Sequence, residues 1–410
     1  MRRILIVGAG QAGLQLAHEL LDHHYDVTVL SARTPEQIRH GQVMSTQCLF
    51  DTALRHERNG RLNLWEQEAP RIESLGVTVG GPDGPPRVDW ASSLDRPAQS
   101  VDQRIKMAGW LELFEARGGT LLVRQATVRA LDALAAGYDL VVVATGGDDL
   151  ADMFRRDPAR SPHTRPQRVL SLAYVHGMIP RPDYSGPKIG YLNIIPDIGE
   201  LFTIPAYTHG GECDILFFEG IPGGPLDCWS DRPEPAEHVQ RLLDLVQRYV
   251  PWEYRRCGQA ELTDPGATLV GTVTPTVRRP VAELSCGRLA LGMADAVVLN
   301  DPLAVQGANY ASRCAAHYAE RIFARGHRPF DRHWMHGTFD GYWADARHAT
   351  RWTNAMLRPP AHLVKLLDVA AHNPDVAHRL VNGFDNPADL VDWLDPARTA
   401  AYLAQESAHV

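Results

Sequence analysis

A glycine-rich hexapeptide near the N-terminus is the clearest candidate for chemistry. The sequence RRILIVGAGQAGL places a G-x-G-x-x-G motif directly after an apolar run and directly before apolar residues at helical spacing. In a strand–turn–helix unit the glycines allow a tight turn and let the backbone approach a pyrophosphate, whose charge meets the helix N-terminus. The motif therefore predicts a dinucleotide site formed by Gly8, Gly10, Gln11, Ala12 and Gly13.

The acidic residue that usually holds a ribose hydroxyl is absent from the end of the second apolar run. That run reads VTVLSAR and places Ser31 where a glutamate is common. Ser31 can accept a hydrogen bond, and Arg33 can approach a phosphate, so both are candidate cofactor-binding residues. The alternative is that both are ordinary turn residues.

A second candidate lies far downstream, in GMADAVVLNDPLAVQGANYAS. A carboxylate on Asp295 can accept hydrogen bonds from the ribityl hydroxyls of a flavin, and Pro302 gives a rigid turn beside the ring. Gly307, Ala308 and Asn309 open a helix whose free N–H groups suit the pyrimidine carbonyl and N1 region, where charge develops on reduction. The alternative is an ordinary strand–loop–helix connection with an Asn cap.

A third element favours FAD over NAD. The buried-strand pattern YDLVVVATG ends in Ala144, Thr145 and Gly146 and is typical of the strand behind the first βαβ unit in flavoproteins. An NAD dehydrogenase, by contrast, has no need of a late strand that delivers Asp295 to a ribityl chain. We therefore predict that both ends of the chain hold one FAD.

Composition excludes several classes of function. The chain has 410 residues and a net charge of −8 without a basic run, which disfavours nucleic acid and anionic membrane surfaces as partners. No stretch reaches the roughly 18 apolar residues of a membrane span, and the start of the chain is a strand pattern with no cleavage site, so we expect a cytoplasmic protein. The six cysteines form no C-x-x-C, and no metal site is expected.

The chain-long pattern predicts an α/β fold in which an FAD-binding, Rossmann-like domain is interleaved with an antiparallel β-sheet substrate domain and followed by a helical region. The FAD-binding parts are expected at residues 1–75, 99–167 and 284–329, and substrate-domain strands at 76–98 and 168–283. Residues 330–410 are expected to be helical.

Several segments together resemble the group E two-component flavoprotein monooxygenases, the styrene and indole monooxygenases. They are IVGAGQAGL, SVDQR, FEARGG, YDLVVVATG, TVTPTVRRPV, DPLAVQGANYAS and ATRWTN, and the resemblance covers nearly the whole chain. Two positions depart from the family pattern, since GMAD replaces G-x-G-D and Val305 stands where a glycine is usual. That valine is expected to crowd the loop beside the flavin.

The resemblance implies a division of labour between two proteins. A separate NAD(P)H-dependent flavin reductase would supply reduced FAD, and O2 would then give a flavin C4a-hydroperoxide that epoxidises indole, styrene or a related aryl alkene. This chemistry needs no nucleophile or general base, so no catalytic side chain is expected. The resemblance further implies that Arg104 in SVDQR reaches the FAD and balances pyrophosphate charge, and it allows a homodimer.

The positions that line the family's substrate pocket favour the indole side over the styrene side. By resemblance they are Ser45, Gln47, Leu49, Ile72, Leu75 and Ala98. An apolar pocket with a few amide or hydroxyl groups suits a small bicyclic aromatic with one N–H. Tyr207 and Phe217, on the expected substrate sheet, are candidates for the far wall. The alternative is that the apolar members of both sets are simply core.

Two other functions stay open from the sequence. One is a flavin-dependent hydroxylase or halogenase acting on a specialised metabolite, although the G-x-W-x-W-x-I-P motif of halogenases is not visible. The other is a non-catalytic FAD-binding or redox-sensing protein.

Overall fold

The computed structural model describes residues 1–81, 84–146, 149–181 and 188–407. Its first strands are β1 (Arg3–Val7), β2 (Asp26–Ser31), β3 (Ile72–Val79), β4 (Val88–Ala98), β5 (Thr120–Val123), β6 (Leu140–Val143), β7 (Val169–His176) and β8 (Lys188–Ile195). The remaining strands are β9 (Gly199–Thr208), β10 (Gly211–Gly220), β11 (Glu261–Leu262), β12 (Thr268–Thr272), β13 (Thr276–Val277), β14 (Val281–Glu283), β15 (Leu289–Gly292) and β16 (Val298–Leu299).

The helices of the first two thirds are α1 (Gln11–Asp22), α2 (Pro35–Arg39), α3 (Asp51–Asn59), α4 (Gln103–Ala116), α5 (Val128–Ala135), α6 (Asp149–Asp152), α7 (Pro235–Tyr249) and α8 (Pro251–Cys257). The later helices are α9 (Gly307–Arg325), α10 (Arg332–Met356), α11 (Ala361–Ala370), α12 (Pro374–Asn382), α13 (Pro387–Val391) and α14 (Pro396–Ser407). Short 3₁₀ turns lie at Ala294–Ala296, Pro302–Ala304 and Asp392–Leu394.

A six-stranded sheet forms the cofactor side of the molecule, in the order β14-β15-β6-β1-β2-β5. All its pairings are parallel except that of β14 with β15. The central strands are buried on both faces, which is why they appear in the sequence as unbroken apolar runs. Helices α1, α4, α9 and α10 pack around this sheet in one continuous core. Because β1 and β6 are parallel neighbours and α1 follows β1 after a short turn, the carboxyl ends of both strands lie beside the start of α1.

An eight-stranded sheet forms the second side, in the order β11-β7-β10-β9-β8-β3-β4, with β12 also paired to β7. It is antiparallel except for the parallel pairing of β3 with β8. Helix α7 packs on one face of this sheet through Leu242 and Val246. Helices α11 and α12 pack on β3 and β4, where Leu366 and Leu380 contact the Trp90 cluster. The mixed α/β fold and the helical C-terminal region are as predicted.

Two of the expected domain boundaries need correction. The sequence pattern places residues 72–75 in the FAD-binding part, but β3 begins at Ile72 and belongs to the second sheet. It places residues 281–283 in the substrate part, but they form β14 and pair with β15 in the first sheet. Both errors have the same cause, because a short apolar segment does not reveal which sheet its backbone joins.

Candidate functional site

The glycine motif forms a tight turn between β1 and α1. Gly8 has a φ of +117°, and a Cβ added to it would stand 3.0 Å from the carbonyl carbon of Ala144. A Cβ on Gly13 would lie 2.2 Å from the carbonyl oxygen of Gly8. A Cβ on Gly10, by contrast, would meet no atom within 4 Å. The first and last glycines are therefore required by the fold, whereas Gly10 keeps space open at the helix N-terminus.

A cavity of about 330 Å³ lies between this turn, the late motif and one face of the second sheet. It brings together eleven of the sequence-predicted residues, namely Gly10, Gln11, Ala12, Ser45, Gln47, Ala144, Phe217, Asp295, Pro302, Gly307 and Ala308. Segments near opposite ends of the chain thus share one cavity. Sequence reasoning missed Gln103, Phe202, Ile204 and Asn300, which also line it.

Asp295 and Gly146 meet at the edge of this cavity. A Cβ on Gly146 would stand 2.6 Å from the Cβ of Asp295, so only glycine leaves room for that side chain. Burial raises the pKa of Asp295 to about 6, and the positive charge of Arg278 opposes this rise. A half-buried carboxylate with a raised pKa gains from hydroxyl donors, because hydrogen bonds to the charged form favour it.

The N-terminus of α9 supplies N–H groups to the same cavity. The first intrahelical hydrogen bond runs from Tyr310 N to Gln306 O over 2.9 Å, so the N–H groups of Gly307 and Ala308 precede the hydrogen-bonded ladder. The 19-residue helix directs the positive end of its dipole there. This arrangement suits an electron-rich oxygen.

The side chain of Asn309 has a structural role that the sequence did not predict. Its Oδ1 accepts a hydrogen bond from Phe50 N, and its Nδ2 donates to Cys48 O and Val305 O, each over 2.9 Å. The side chain is buried and does not line the cavity. It fixes the segment 48–50 to the start of α9 and therefore positions the site without contributing a free polar atom to it.

Arg104 is also corrected. Its guanidinium lies against two carboxylates, with Nη2 2.7 Å from Asp102 and Nη1 2.7 Å from Asp264. The arginine is buried, and its pKa is raised through its hydrogen bonds to these two carboxylates, against the opposing effect of burial. With its charge balanced internally, Arg104 joins α4 to the second sheet and does not line the cavity.

Ser31 and Arg33 form a local turn. The Ser31 hydroxyl donates to Arg33 O over 2.7 Å and accepts from Arg33 N over 3.2 Å. Neither residue lines the cavity. The alternative of an ordinary turn therefore accounts for the hydrogen bonds of the Ser31 hydroxyl.

Thr145 lies close to the glycine motif. It follows Ala144 at the end of β6, and its backbone N would lie 3.2 Å from a Cβ on Gly8.

The predicted substrate residues separate into two groups. Ser45, Gln47 and Phe217 line the cavity, with Phe202 and Ile204 beside them. Gln47 is held by a 3.0 Å hydrogen bond from Nε2 to Val101 O, while its buried Oε1 has no partner among the described residues. Leu75 lines a second cavity of about 820 Å³ between the second sheet and the C-terminal helices.

Four other predicted pocket residues line neither of these two cavities, and the structure corrects them. Ile72 and Ala98 are buried cross-strand partners in the core. Leu49 pairs with Gln99 and packs on α3. Tyr207 packs against Val101 and Ile105 at the start of α4. Ile72, Ala98 and Leu49 are buried, as the core alternative expects, whereas Tyr207 is half-buried.

Val305 joins the two cavities, since it lines both. Its φ of +55° and ψ of 30° place it in the left-handed region, which is a strained conformation for a β-branched residue. A glycine would adopt it without strain. The expected crowding at this position is thus accompanied by backbone strain.

Comparison with known proteins agrees with this geometry. A family model described as "Styrene monooxygenase A putative substrate binding domain" matches residues 146–256. The curated protein "Styrene monooxygenase StyA" from Pseudomonas fluorescens is 28% identical over 98% of this chain and 98% of its own length. These matches support the resemblance to the group E flavoprotein monooxygenases. The chain is an FAD-dependent monooxygenase, as the sequence predicted.

Solved structures support the same fold for this chain. The flavin-dependent brominase Bmp2 has a TM-score of 0.69 at 14% identity and covers 99% of each chain. A variant of the halogenase PltM in complex with FAD has a TM-score of 0.62 at 13% identity, over 98% of this chain and 85% of the other. At these identities the likeness concerns the fold alone.

The residues of this monooxygenase fit its FAD. The open space at Gly10 admits a pyrophosphate. The first intrahelical bond of α1 runs from Leu14 N to Gly10 O, so the N–H groups of Gln11 and Ala12 can donate to it. Asp295 and the N-terminus of α9 provide an acceptor and donors for the ribityl and flavin parts. Within the described ranges there is no cluster of His, Cys, Asp or Glu able to hold a metal ion. Nor does that part of the chain contain a helix with the length and apolarity of a membrane span.

Proposed function

We propose that this chain is the oxygenase component of a two-component monooxygenase that epoxidises indole or a related aryl alkene. Reduced FAD would come from a separate NAD(P)H-dependent flavin reductase. The proposal rests mainly on one observation, the cavity in which the predicted cofactor residues meet the apolar sheet residues Phe202, Ile204 and Phe217. The bound cofactor would supply two electrons, and one oxygen atom of O2 would enter the C=C bond while the other leaves as water.

The side chains of the cavity would bind and orient the substrate. The rings of Phe202 and Phe217 lie 5.7 Å apart and stacked, which gives an aromatic wall for a planar bicycle. An indole N–H can donate to the Gln47 Oε1, which is buried and lacks a partner among the described residues. This acceptor favours indole over styrene, which has no N–H. The apolar wall would also exclude water from the oxidation.

An oxygenation assay with two substrates tests this proposal. The chain is combined with a generic flavin reductase, NADH, FAD and O2, and the products of indole and styrene are measured. We expect an oxygenated product from indole. Gln47→Leu should lower kcat/KM for indole about tenfold and change that for styrene much less, because only indole loses a hydrogen bond. Normal oxidation of reduced FAD without an oxygenated product from either substrate would refute the proposal.

A further inference from the structure

The second cavity is larger than a bicyclic substrate requires. Its volume is about 820 Å³, near the upper end of the range for pockets that bury drug-sized ligands. Its walls come from the second sheet and from helices α10 to α12, and include Trp90, Phe202, Trp352, Leu363, Leu380 and Phe384. Such a chamber suits an apolar ligand larger than a bicycle.

The two cavities adjoin at three residues. Phe202, Ile204 and Val305 line both of them. Phe202 and Ile204 are buried, and Val305 is half-buried, so the cavities meet inside the molecule. A ligand at this end of the larger cavity would therefore contact the same three side chains that border the cofactor side.

The solvent side of the larger cavity carries unpaired positive charge. Arg165 and Arg358 line it and are exposed, and within the described residues neither side chain forms an ion pair or a hydrogen bond. Two other lining arginines are already paired, Arg168 with Glu200 at 2.8 Å and Arg87 with Asp368 at 2.6 Å.

One unpaired carboxylate, that of the exposed Asp197, lines the same cavity. Its charge offsets only one of the two free guanidinium groups. The rim is therefore electropositive while the interior is apolar, which is the charge pattern that an amphipathic anion would complement.

We propose that the larger cavity binds the tail of an elongated substrate, with an aryl or alkene end at Phe202, Ile204 and Val305 and a carboxylate at Arg165 and Arg358. This rests on the proposed function, and it extends the substrate class from small neutral arenes to aryl-alkenyl carboxylates. Indole then occupies only the inner end of the site.

Binding to the flavin-free protein tests the assignment without turnover. Isothermal titration calorimetry would compare 8-phenyloctanoate, 4-phenylbutanoate and 8-phenyloctan-1-ol. We expect the long acid to bind at least tenfold more tightly than the short acid, because of the added buried methylenes. It should bind about tenfold more tightly than the alcohol, because of its charge-assisted hydrogen bonds. Equal affinities for all three ligands would overturn the proposal.

Variants identify the residues responsible. Arg165→Ala combined with Arg358→Ala should reduce the affinity of the long acid to that of the alcohol and leave the alcohol unchanged. Arg129→Ala removes another exposed arginine, on α5 and outside the cavity, and should change neither affinity. An equal loss with the Arg129 variant would show that the effect is general electrostatics and would contradict the assignment.

A final comparison separates this inference from the proposed function. The complete system with reductase is given 9-phenylnon-8-enoate, and the gain of one oxygen atom is followed by mass spectrometry. If the acid binds in an arginine-dependent way but neither it nor indole is oxygenated, the proposed function fails. If indole is oxygenated while tail length and charge do not affect binding, only the present inference fails.

Discussion

Gly146 and Asp295 are in such close contact that a Cβ on Gly146 would stand 2.6 Å from the Cβ of Asp295. Gly146 follows β6, and Asp295 lies in the 3₁₀ turn after β15, so this contact joins segments almost 150 residues apart in the chain. Since β6 and β15 are parallel neighbours, their carboxyl ends meet at one edge of the sheet. The contact places the carboxylate of Asp295 beside the turn formed by the glycine motif.

Gly146→Ala should therefore displace Asp295. We expect FAD affinity to fall at least tenfold and the free energy of unfolding to fall by about 1–3 kcal/mol, since the added methyl group overpacks a rigid site. FAD titration and urea unfolding measure the two effects. Gly137→Ala is the control, because a Cβ there meets its nearest atom at an ordinary 3.4 Å. Unchanged FAD affinity in the Gly146 variant would show that Asp295 is not needed for binding.

Two glycines of the same motif should respond differently to alanine. A Cβ on Gly10 meets nothing within 4 Å, whereas one on Gly13 would lie 2.2 Å from Gly8 O. Gly10→Ala should leave the Tm of the flavin-free protein unchanged and weaken FAD binding at least tenfold, because the methyl group occupies ligand space. Gly13→Ala should lower the Tm itself. A Gly10 variant that binds FAD normally would mean that no ligand approaches this turn.

The parts of this fold that the sequence predicts are those whose signal is local. The strands β1 and β6 are buried on both faces and are continuous apolar runs in the sequence. The glycine motif is also recognisable from the sequence, because all its residues lie in or next to the single turn between β1 and α1. Arg104 shows the limit of local evidence. Its partner Asp264 is 160 residues away, and only the folded chain shows that the guanidinium is already neutralised.

Pocket residues were harder to predict than cofactor residues for a similar reason. Ile72 and Ala98 are apolar whether they line a pocket or fill a core, and here they form a buried cross-strand pair. The larger cavity is enclosed by β3, β8, β9 and the helices α10 to α12. Because these elements are far apart in the chain, no local spacing of residues indicates that cavity.

FAD binding should depend on pH through Asp295. The pKa of this residue in the flavin-free protein is raised to about 6 by burial. Ribityl hydroxyls would donate to the ionised carboxylate, so binding favours loss of the proton and should strengthen as pH rises through 6. At pH 5 we expect roughly tenfold weaker binding than at pH 7. Fluorescence titration at several pH values measures this, and Asp295→Asn should remove the dependence. A variant with the same pH profile as the parent would assign the titration to another group.

A buried ion pair behind the glycine motif should be important for stability. Lys106 and Glu57 are both buried and form a short ion pair, and Gln11 Nε2 donates to Glu57 Oε1 over 3.0 Å. Lys106→Met leaves the carboxylate unpaired and should cost about 3–5 kcal/mol of unfolding free energy. Adding Glu57→Gln should recover much of that loss.

The control for this pair is exposed. Lys188 lies 3.0 Å from Glu212 with both side chains about half exposed, so Lys188→Met should change stability by less than about 1 kcal/mol. Urea unfolding at one pH compares the variants. Equal losses for the two lysine variants would show that burial of the Lys106 pair is not the cause.

Acid should destabilise the protein through two buried histidines. Burial lowers the pKa of both His18 and His238 to about 4. Each ring has a fixed partner, since His18 Nε2 lies 3.0 Å from Trp110 O and His238 Nε2 lies 3.1 Å from Ser171 Oγ. Because the pKa of each histidine is lower in the folded chain than in the unfolded chain, the unfolded chain binds more protons between about pH 4 and pH 6.5. The contribution of the two neutral, buried imidazoles to the free energy of unfolding is therefore complete above about pH 6.5 and is lost as the pH falls toward 4.

His238→Gln should therefore flatten part of this pH dependence. The free energy of unfolding, measured by urea titration between pH 4 and pH 7, should fall less steeply in the variant, by up to about 3 kcal/mol over the range. The amide of glutamine cannot take up a proton but can still bond to Ser171. His327→Gln, which alters an exposed imidazole between α9 and α10, should leave the profile unchanged. If the His238 variant keeps the full slope, the buried imidazole is not the group that acid protonates on unfolding.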